Sequence, residues 1–301
     1  MKILLRIIIT LCLVLLVWFS FFKKYDHRIS FEVNISPLAF HNMLLDSTKW
    51  SSISQNQPKI IDVNNARSIN HKLKINQIPF ELYWEITNKN DTNSEVKLYY
   101  KNLENSIKER VLSLIRRSDN QKVLKEIAIG FKQSAKQFSE NFKINIEGID
   151  TIPSLTYLYI DLKGKRQDKA LNMIKANALL FVKNNDSLVK KNGNVFVKIQ
   201  SWNTTTDSIA FRYAFPIQPQ KQYPTDTTVK ADSLLAVPAL KATYYGNYRN
   251  SDQAWLALIT YAESHHIELD MQPLEIFYNN PIWGGDDRKW KAEIYIPIKT
   301  H

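Results

Sequence analysis

The sequence predicts an α+β fold: an apolar N-terminal helix, a domain of strand, short helix, strand meander and long helix, then a domain in which strand, helix, strand, strand occurs twice. Three observations carry this. Residues 3–22 are apolar apart from Arg6, Thr10 and Ser20. Residues 28–142 alternate in short runs, then change to apolar positions three and four apart. Residues 155–217 share an outline with residues 238–298 at a nearly constant offset: Gly164 and Gly246 are 82 apart (246 − 164), and Pro216 and Pro297 are 81 apart (297 − 216). A fixed offset across a whole unit marks an internal duplication.

The first element, residues 3–22, is long enough to cross a bilayer as a helix. It ends in Trp18, Phe19, Ser20, Phe21 and Phe22, followed by Lys23 and Lys24, without the small residues of a signal-peptidase site. Cys12 follows Leu11, which speaks against lipoprotein processing. The expectation is an uncleaved anchor over residues 1–25; the alternative is a signal peptide with an unusual exit. Lys2 and Arg6 on one flank balance Lys23, Lys24 and Arg28 on the other, so charge does not orient the segment. A short N-terminal tail before a long body favours a single-pass protein whose body is exported to the periplasmic or extracytoplasmic side.

The net charge of +11 is spread thinly. Residues 1–25 carry 4 basic and no acidic side chains, 26–150 carry 18 and 15, and 151–301 carry 18 and 14, giving +4, +3 and +4. A nucleic-acid surface concentrates its charge on one element, so no nucleic-acid partner is expected. Cys12 is the single cysteine, which excludes a disulfide framework or thiol site in the body. Seven glycines are too few for glycine-rich phosphate loops.

Residues 26–148 form the expected first domain. An alternating run from Arg28 to Ile35 reads as a strand, and Ser36 with Pro37 as the N-cap and first turn of a helix over 38–45. Strand-like runs follow at 59–63, 68–75, 80–86 and 94–100. Residues 107–117 read as an amphipathic surface helix, with acidic lipid or nucleic acid as other possible contacts. A long helix over 123–142 carries Ile127, Phe131, Ala135 and Phe138 on one face. This element order, with the Asp46, Ser47, Thr48, Lys49, Trp50 stretch at the helix-to-strand turn, resembles the START-like helix-grip (SRPBCC, polyketide cyclase-like) domain. The resemblance implies an apolar cavity between sheet and long helix, able to hold a lipid or other hydrophobic molecule. The alternative is an interior filled by side chains.

Residues 149–301 form the expected second domain, with repeats over 152–219 and 234–299. Side chains alternate across a strand, and the helix-covered face should be the aliphatic one. Ile294, Ile296 and Ile298 then face the helices, and Glu293 and Tyr295 face away. The same parity turns Arg212 outward from among Phe211, Tyr213 and Phe215, and Glu275 and Phe277 outward from Leu274 and Ile276. It exposes Phe196, Lys198 and Gln200, then Tyr157, Tyr159 and Asp161, and Lys241, Thr243 and Tyr245. Trp283 and Trp290 flank a loop of Gly284, Gly285, Asp286, Asp287 and Arg288, where they either cap a ligand or staple the loop.

The duplicated pattern resembles the gyrase-inhibitor-like effector-binding domain of AraC- and MerR-type regulators. Three stretches of the second half carry the resemblance: Tyr244 to Arg249, Pro273 to Pro281, and Lys291 to Ile298. It implies two modules about a pseudo-two-fold axis, with an aromatic pocket between them and often a buried glutamate. Glu293, Tyr295, Glu275, Phe277, Tyr245, Arg212, Tyr157, Tyr159, Trp283 and Trp290 are the expected ligand-binding residues. Carboxylate among ring faces suits an organic cation; the alternative for Glu293 and Arg212 is a pair that only cements the module interface. No DNA-binding segment accompanies the module.

No metal-ligand spacing occurs among the six histidines, and no nucleophile elbow, phosphate loop or dinucleotide fingerprint is present. No cofactor and no metal are expected. The resulting expectation is a membrane-anchored binding or sensing protein for a small aromatic, cationic or amphiphilic molecule. Two alternatives stand beside it. One is a hydrolase of small reactive compounds using Glu293 or Glu275 with Tyr245; the other is a non-catalytic structural or partner-binding envelope protein.

Overall fold

The computed structural model describes residues 3, 4, 7, 10, 11, 14, 23–64, 67–115, 118–185, 189–223 and 225–299. The chain divides into two compact units, 1–136 and 137–301. It is a mixed α+β structure with two antiparallel sheets. Most of the expected anchor lies outside the described residues. Within it Ile3, Leu4, Ile7, Thr10, Leu11 and Val14 are helical and exposed. Among the described residues no helix is long and apolar enough to cross a membrane.

The first unit runs β1 (His27–Val33), α1 (Pro37–Leu45), α2 (Ser47–Ile53), β2 (Lys59–Asn64), β3 (Ser68–Ile75), β4 (Ile78–Asn90), β5 (Asn93–Asn102), α3 (Ser106–Ile115) and α4 (Asp119–Ser139). Its sheet has the order β1-β5-β4-β3-β2. Asn76 and Gln77 make the tight turn between β3 and β4, both at positive φ, as a two-residue hairpin with right-twisted strands requires. Ser36 caps α1 by accepting from the Ala39 amide. Asp46 ends α1 and caps α2 through Thr48, and the Trp50 indole donates to the Leu44 carbonyl at 2.7 Å, which fixes the corner between the helices.

Aromatic side chains pack between this sheet and α4. Phe131 of α4 packs against Trp50, Trp84 and Phe40 with ring centroids 4.7, 5.5 and 6.3 Å apart. His71 of β3 is buried beside Trp50, and neither ring nitrogen has a hydrogen-bond partner among the described residues. Burial lowers its pKa to about 4 from 6.5. The folded state therefore holds His71 neutral where the unfolded chain protonates it. Stability is unaffected above pH 6.5 and falls as pH drops toward 4, by roughly 3 kcal/mol at most. Chemical denaturation of the full chain at pH 7 and pH 4.5 should show a smaller loss in His71→Leu than in the parent; an equal loss in both would remove His71 as the cause.

The second unit runs β6 (Phe142–Ile152), β7 (Leu155–Lys165), α5 (Lys169–Asn185), β8 (Phe196–Asn203), β9 (Ser208–Ile217), β10 (Lys230–Leu234), β11 (Val237–Gly246), α6 (Gln253–Ser264), β12 (Leu274–Phe277) and β13 (Lys291–Pro297). They form one sheet in the order β10-β7-β9-β8-β12-β13-β11-β6. The order reads as two four-stranded halves meeting at β8 and β12. Each repeat opens with an extra strand absent from the sequence-based outline, and these two are exchanged. β6 precedes β7 but pairs with β11; β10 precedes β11 but pairs with β7. Asp150 opposite Ala239 and Asp232 opposite Tyr157 occupy matching places, 82 residues apart (232 − 150). β6 also crosses the expected domain limit at 148, since it is hydrogen-bonded to β11 along its length.

Two apolar clusters lie on opposite faces of this sheet. Met173, Ala176 and Leu180 of α5 and Trp255, Leu258 and Ala262 of α6 cover one, with Val197, Phe211, Tyr213, Ala242 and Ile294 beneath them. The other, on the face away from the helices, joins Tyr157, Tyr159, Phe196, Ala214, Leu274, Ile276 and Tyr295. Gly246 ends β11 at φ +148°, where a Cβ would lie 2.9 Å from the Asn141 carbonyl and 2.8 Å from Phe142 Cβ, so only glycine lets β6 and β11 meet there.

Candidate functional site

The face away from the helices gathers aromatic and charged side chains from both repeats. β8 and β12 meet at its centre, with Phe196 opposite Ile276 and Lys198 opposite Leu274. On one side Tyr157 and Tyr159 of β7 and Arg212 of β9 share this face, and on the other Lys241, Thr243 and Tyr245 of β11 with Glu293 and Tyr295 of β13.

Arg212 is embedded in its own half. Its guanidinium lies 4.1 Å from the Tyr159 ring centre, donates to the Tyr157 hydroxyl at 3.1 Å, and pairs with Asp232 at 2.5 Å and Asp161 at 3.5 Å. Burial alone would raise the Asp232 carboxyl, but the Ser233 amide and Arg212 hold it below its ordinary pKa. Burial also raises the Tyr157 hydroxyl.

Glu293, the equivalent of Arg212 in the other half (212 + 81 = 293), is embedded likewise. It accepts from the hydroxyls of Tyr278 at 2.8 Å and Tyr295 at 3.1 Å, and from Lys291 at 2.8 Å. Burial pushes the Glu293 pKa up; Lys291, Tyr278 and Lys241 outweigh it, leaving the carboxyl below its ordinary value. Burial pushes the Tyr278 and Tyr295 hydroxyls up to about 12, so both stay protonated donors. Lys241 pairs with Asp150 at 3.1 Å and Glu147 at 3.2 Å and lies 5.5 Å from the Tyr295 ring centre. Burial works against its ammonium, but these carboxylates raise its pKa overall.

Arg212 and Glu293 thus have separate partners and make no salt bridge with each other. The expected cation site is occupied by cations of the chain itself: Lys291 sits over the Tyr278 ring at 4.4 Å and holds Glu293.

Two expected site residues belong to the opposite face. Glu275 is in register with Val197 and Ile294, under the helices, fully buried and paired with Lys169 and Ser251. Phe277 packs there against Tyr248, with centroids 4.6 Å apart. All four residues of β12 are buried, so aliphatic character does not tell one face of this strand from the other, and Glu275 and Phe277 turn toward the helices where parity predicts the opposite face. Trp290 packs on Tyr248 at 5.5 Å, while Trp283 is 86% exposed. Tyr245 is half-buried at the Lys291 end of β11.

A cavity of about 580 Å³ opens at the other end of the face, where both exchanged strands finish. Ile152, Leu234, Val237, Leu274 and Pro297 give it apolar walls; Lys198, Asp270 and Gln272 give it polar ones. Lys198 and the Asp270 carboxylate make no hydrogen bond or salt bridge among the described residues. Burial and then Arg212 lower the Lys198 pKa, while Asp232 and Asp270 act to raise it. Lys198 follows from strand parity; Asp150 and Asp232 lie on the two exchanged strands and Asp270 in the connection before β12, and none of the three carries a local sequence signal. No group of three or more His, Cys, Asp or Glu side chains suited to a metal occurs among the described residues.

No family model matches the chain, and no curated protein matches it. Solved structures do. The C-terminal domain of EcmrR is 13% identical over 53% of this chain and 99% of that one, with a TM-score of 0.45. SAV2435 bound to tetraphenylphosphonium is 12% identical over 52% and 94%, with a TM-score of 0.38. A hydrolase encoded by lin2189 from Listeria innocua is 13% identical over 56% and 98%, with a TM-score of 0.32. The chain is similar to these over about half its length.

Proposed function

We propose that the chain is a membrane-anchored protein that binds a small amphiphilic molecule between its two C-terminal repeats. The carrying observation is the 580 Å³ cavity at the end of the helix-free face, apolar on one wall and bearing Lys198 and Asp270 on another. Its volume falls in the range of small-molecule sites, and mostly apolar walls with a few polar groups are their usual lining. The ligand's apolar body lies against Leu274 and Leu234, and its polar head meets the two free charges.

A second reading, binding of an organic cation at Glu293, is favoured by Lys291, whose ammonium already shows how the Glu293 carboxylate and the Tyr278 ring hold a cation. Such a ligand displaces Lys291. The residues give less support to hydrolysis: Glu275 lies away from the face, and Glu293 has a lowered pKa where a general base at neutral pH needs a raised one. The anchor over residues 3–22 and an exported body complete the proposal, and protease accessibility of intact cells tests the latter.

Thermal unfolding of the full chain against neutral amphiphiles, hydrophobic amines, carboxylates and zwitterions tests the reading. A ligand at a hundred times its Kd adds about 2.7 kcal/mol, a shift of roughly 5–10 °C for a unit of this size. Val237→Trp, which fills the cavity, should abolish that shift. Glu293→Gln should abolish it only for cations held at the second site. No shift from any compound sinks both readings.

A further inference from the structure

We infer that α3 and the tyrosines around Tyr25 rest on the surface of an anionic phospholipid bilayer, forming a collar where the N-terminal segment leaves it. The inference depends on the anchor proposed above and extends it to the folded unit. Asp26 carries the argument. It comes four residues after the apolar run ends at Phe22, and it is fully buried. Its amide donates to the Tyr100 carbonyl at 2.9 Å, and its carboxylate accepts from the Asn102 amide at 2.7 Å, from Ser106 and from Arg110 at 2.8 Å. Arg110 also donates to the Lys23 carbonyl, and the Lys23 ammonium to the Asp26 carbonyl at 3.1 Å. Residues 23–26 are thereby fastened to the first turns of α3. A chain leaving a bilayer at residue 22 has only the reach of a few residues, at ~3.5 Å each, before it meets this clamp. The clamp holds α3 at the bilayer surface.

The side chains at that place suit an interface. Leu103, Ile107 and Val111 follow one another at four-residue steps and are 40, 47 and 45% exposed, a stripe that nothing in the first unit covers among the described residues. On the other flank of residue 25, Tyr25 lies 5.8 Å from Tyr83 and 5.3 Å from Tyr99, all three half-buried. The Lys24 ammonium is 5.1 Å from the Tyr25 ring centre. Tyrosines sit at the headgroup level of membranes, and lysines beside them meet lipid phosphates. The charged side chains at this surface among the described residues include Lys23, Lys24, Arg28, Lys101 and Lys108 against Glu81, Glu85 and Glu104; Glu109 is buried and hydrogen-bonded to Ser118 and Asn102. The balance is basic, which selects anionic lipid. An amphipathic helix with such a face lies in the interface plane rather than crossing it.

Spin labels test this. In the full chain with Cys12→Ser, single cysteines are placed at Ile107, Val111 and, as a control, Ser52, and the chain is reconstituted in phosphatidylcholine vesicles with a minority of phosphatidylglycerol. Labels at 107 and 111 should be several-fold less accessible to a water-soluble nickel chelate than the label at 52, and several-fold more accessible to oxygen. Labels at 107 and 111 that match Ser52, in chain that resists carbonate extraction, would overturn the collar and leave the anchor standing. Chain released by carbonate removes the anchor and the collar together.

Discussion

Lys169→Met should lower the stability of the second unit by about 3–5 kcal/mol, the usual cost of removing one partner of a buried ion pair. Lys169 opens α5 in the first repeat with a side chain 1% exposed, and its ammonium meets the fully buried Glu275 carboxylate of β12 in the second. The Ser251 hydroxyl lies 2.9 Å away and the Trp255 ring centre 4.6 Å away. Burial lowers the Lys169 pKa, and the Glu275 charge opposes it. Removing the ammonium leaves the buried Glu275 carboxyl among apolar neighbours with Ser251 as its remaining hydrogen-bond partner. Adding Glu275→Leu should restore most of the loss, because an apolar pair of similar volume carries no desolvation cost. Urea denaturation of the full chain, read by hydrogen exchange in β12, measures both. A single-variant loss below about 1 kcal/mol, as at a solvated surface pair, would contradict the reading.

Phe131→Ala should cost the first unit a similar amount, about 3–5 kcal/mol, because a ring is deleted from a packed core and the walls close only in part. Phe131 touches the rings of Phe40, Trp50 and Trp84, and all four are essentially inaccessible. Gly130 beside it is already tight: a Cβ there would lie 2.7 Å from Ile53, so α4 is seated against α2 with little room to shift. The vacated space is lined by rings and stays dry. Benzene should recover part of the lost melting temperature in the variant and leave the parent unchanged. Stabilisation of the parent by benzene would mean that the interior already holds a void.

The duplication was legible because its marks are local and chemical: glycine after an alternating run, proline and isoleucine closing each repeat, and a constant offset between them. The first unit's short helix was legible for the same reason, since Ser36 and Pro37 make a helix start that needs no tertiary context. The exchanged strands were not legible. Phe142 to Ile152 alternates, but it follows the long helix directly, and its partner β11 lies far ahead in the sequence. Strand parity placed Arg212, Glu293, Tyr159 and Tyr295 because each lies between apolar neighbours, and it placed Tyr157 by its two-residue step from Tyr159. It misplaced Glu275 and Phe277, where both faces are buried and only Lys169, 106 residues away, explains the glutamate. The identity of the groups around Glu293 depended on Tyr278 and Lys241, which converge through the pairing of separate strands.

The exchange of β6 and β10 also sets a timetable for synthesis. β6 leaves the ribosome with no partner of its own repeat to join, since its ladder runs from Ile152 with Val237 to Phe142 with Gly246, separations of 85 to 104 residues. At 5–20 residues per second that strand waits roughly 4–20 s, with its hydrogen-bonding edge open and Phe142, Ile144 and Ile146 in water. The first repeat alone lacks β10 at its edge, and β6 gains its partner only once β11 has been made. Slow codons within 153–236 lengthen the exposure, and a chaperone holding residues 142–152 shortens it. The symmetry of the finished sheet thus makes its assembly wait for the last repeat.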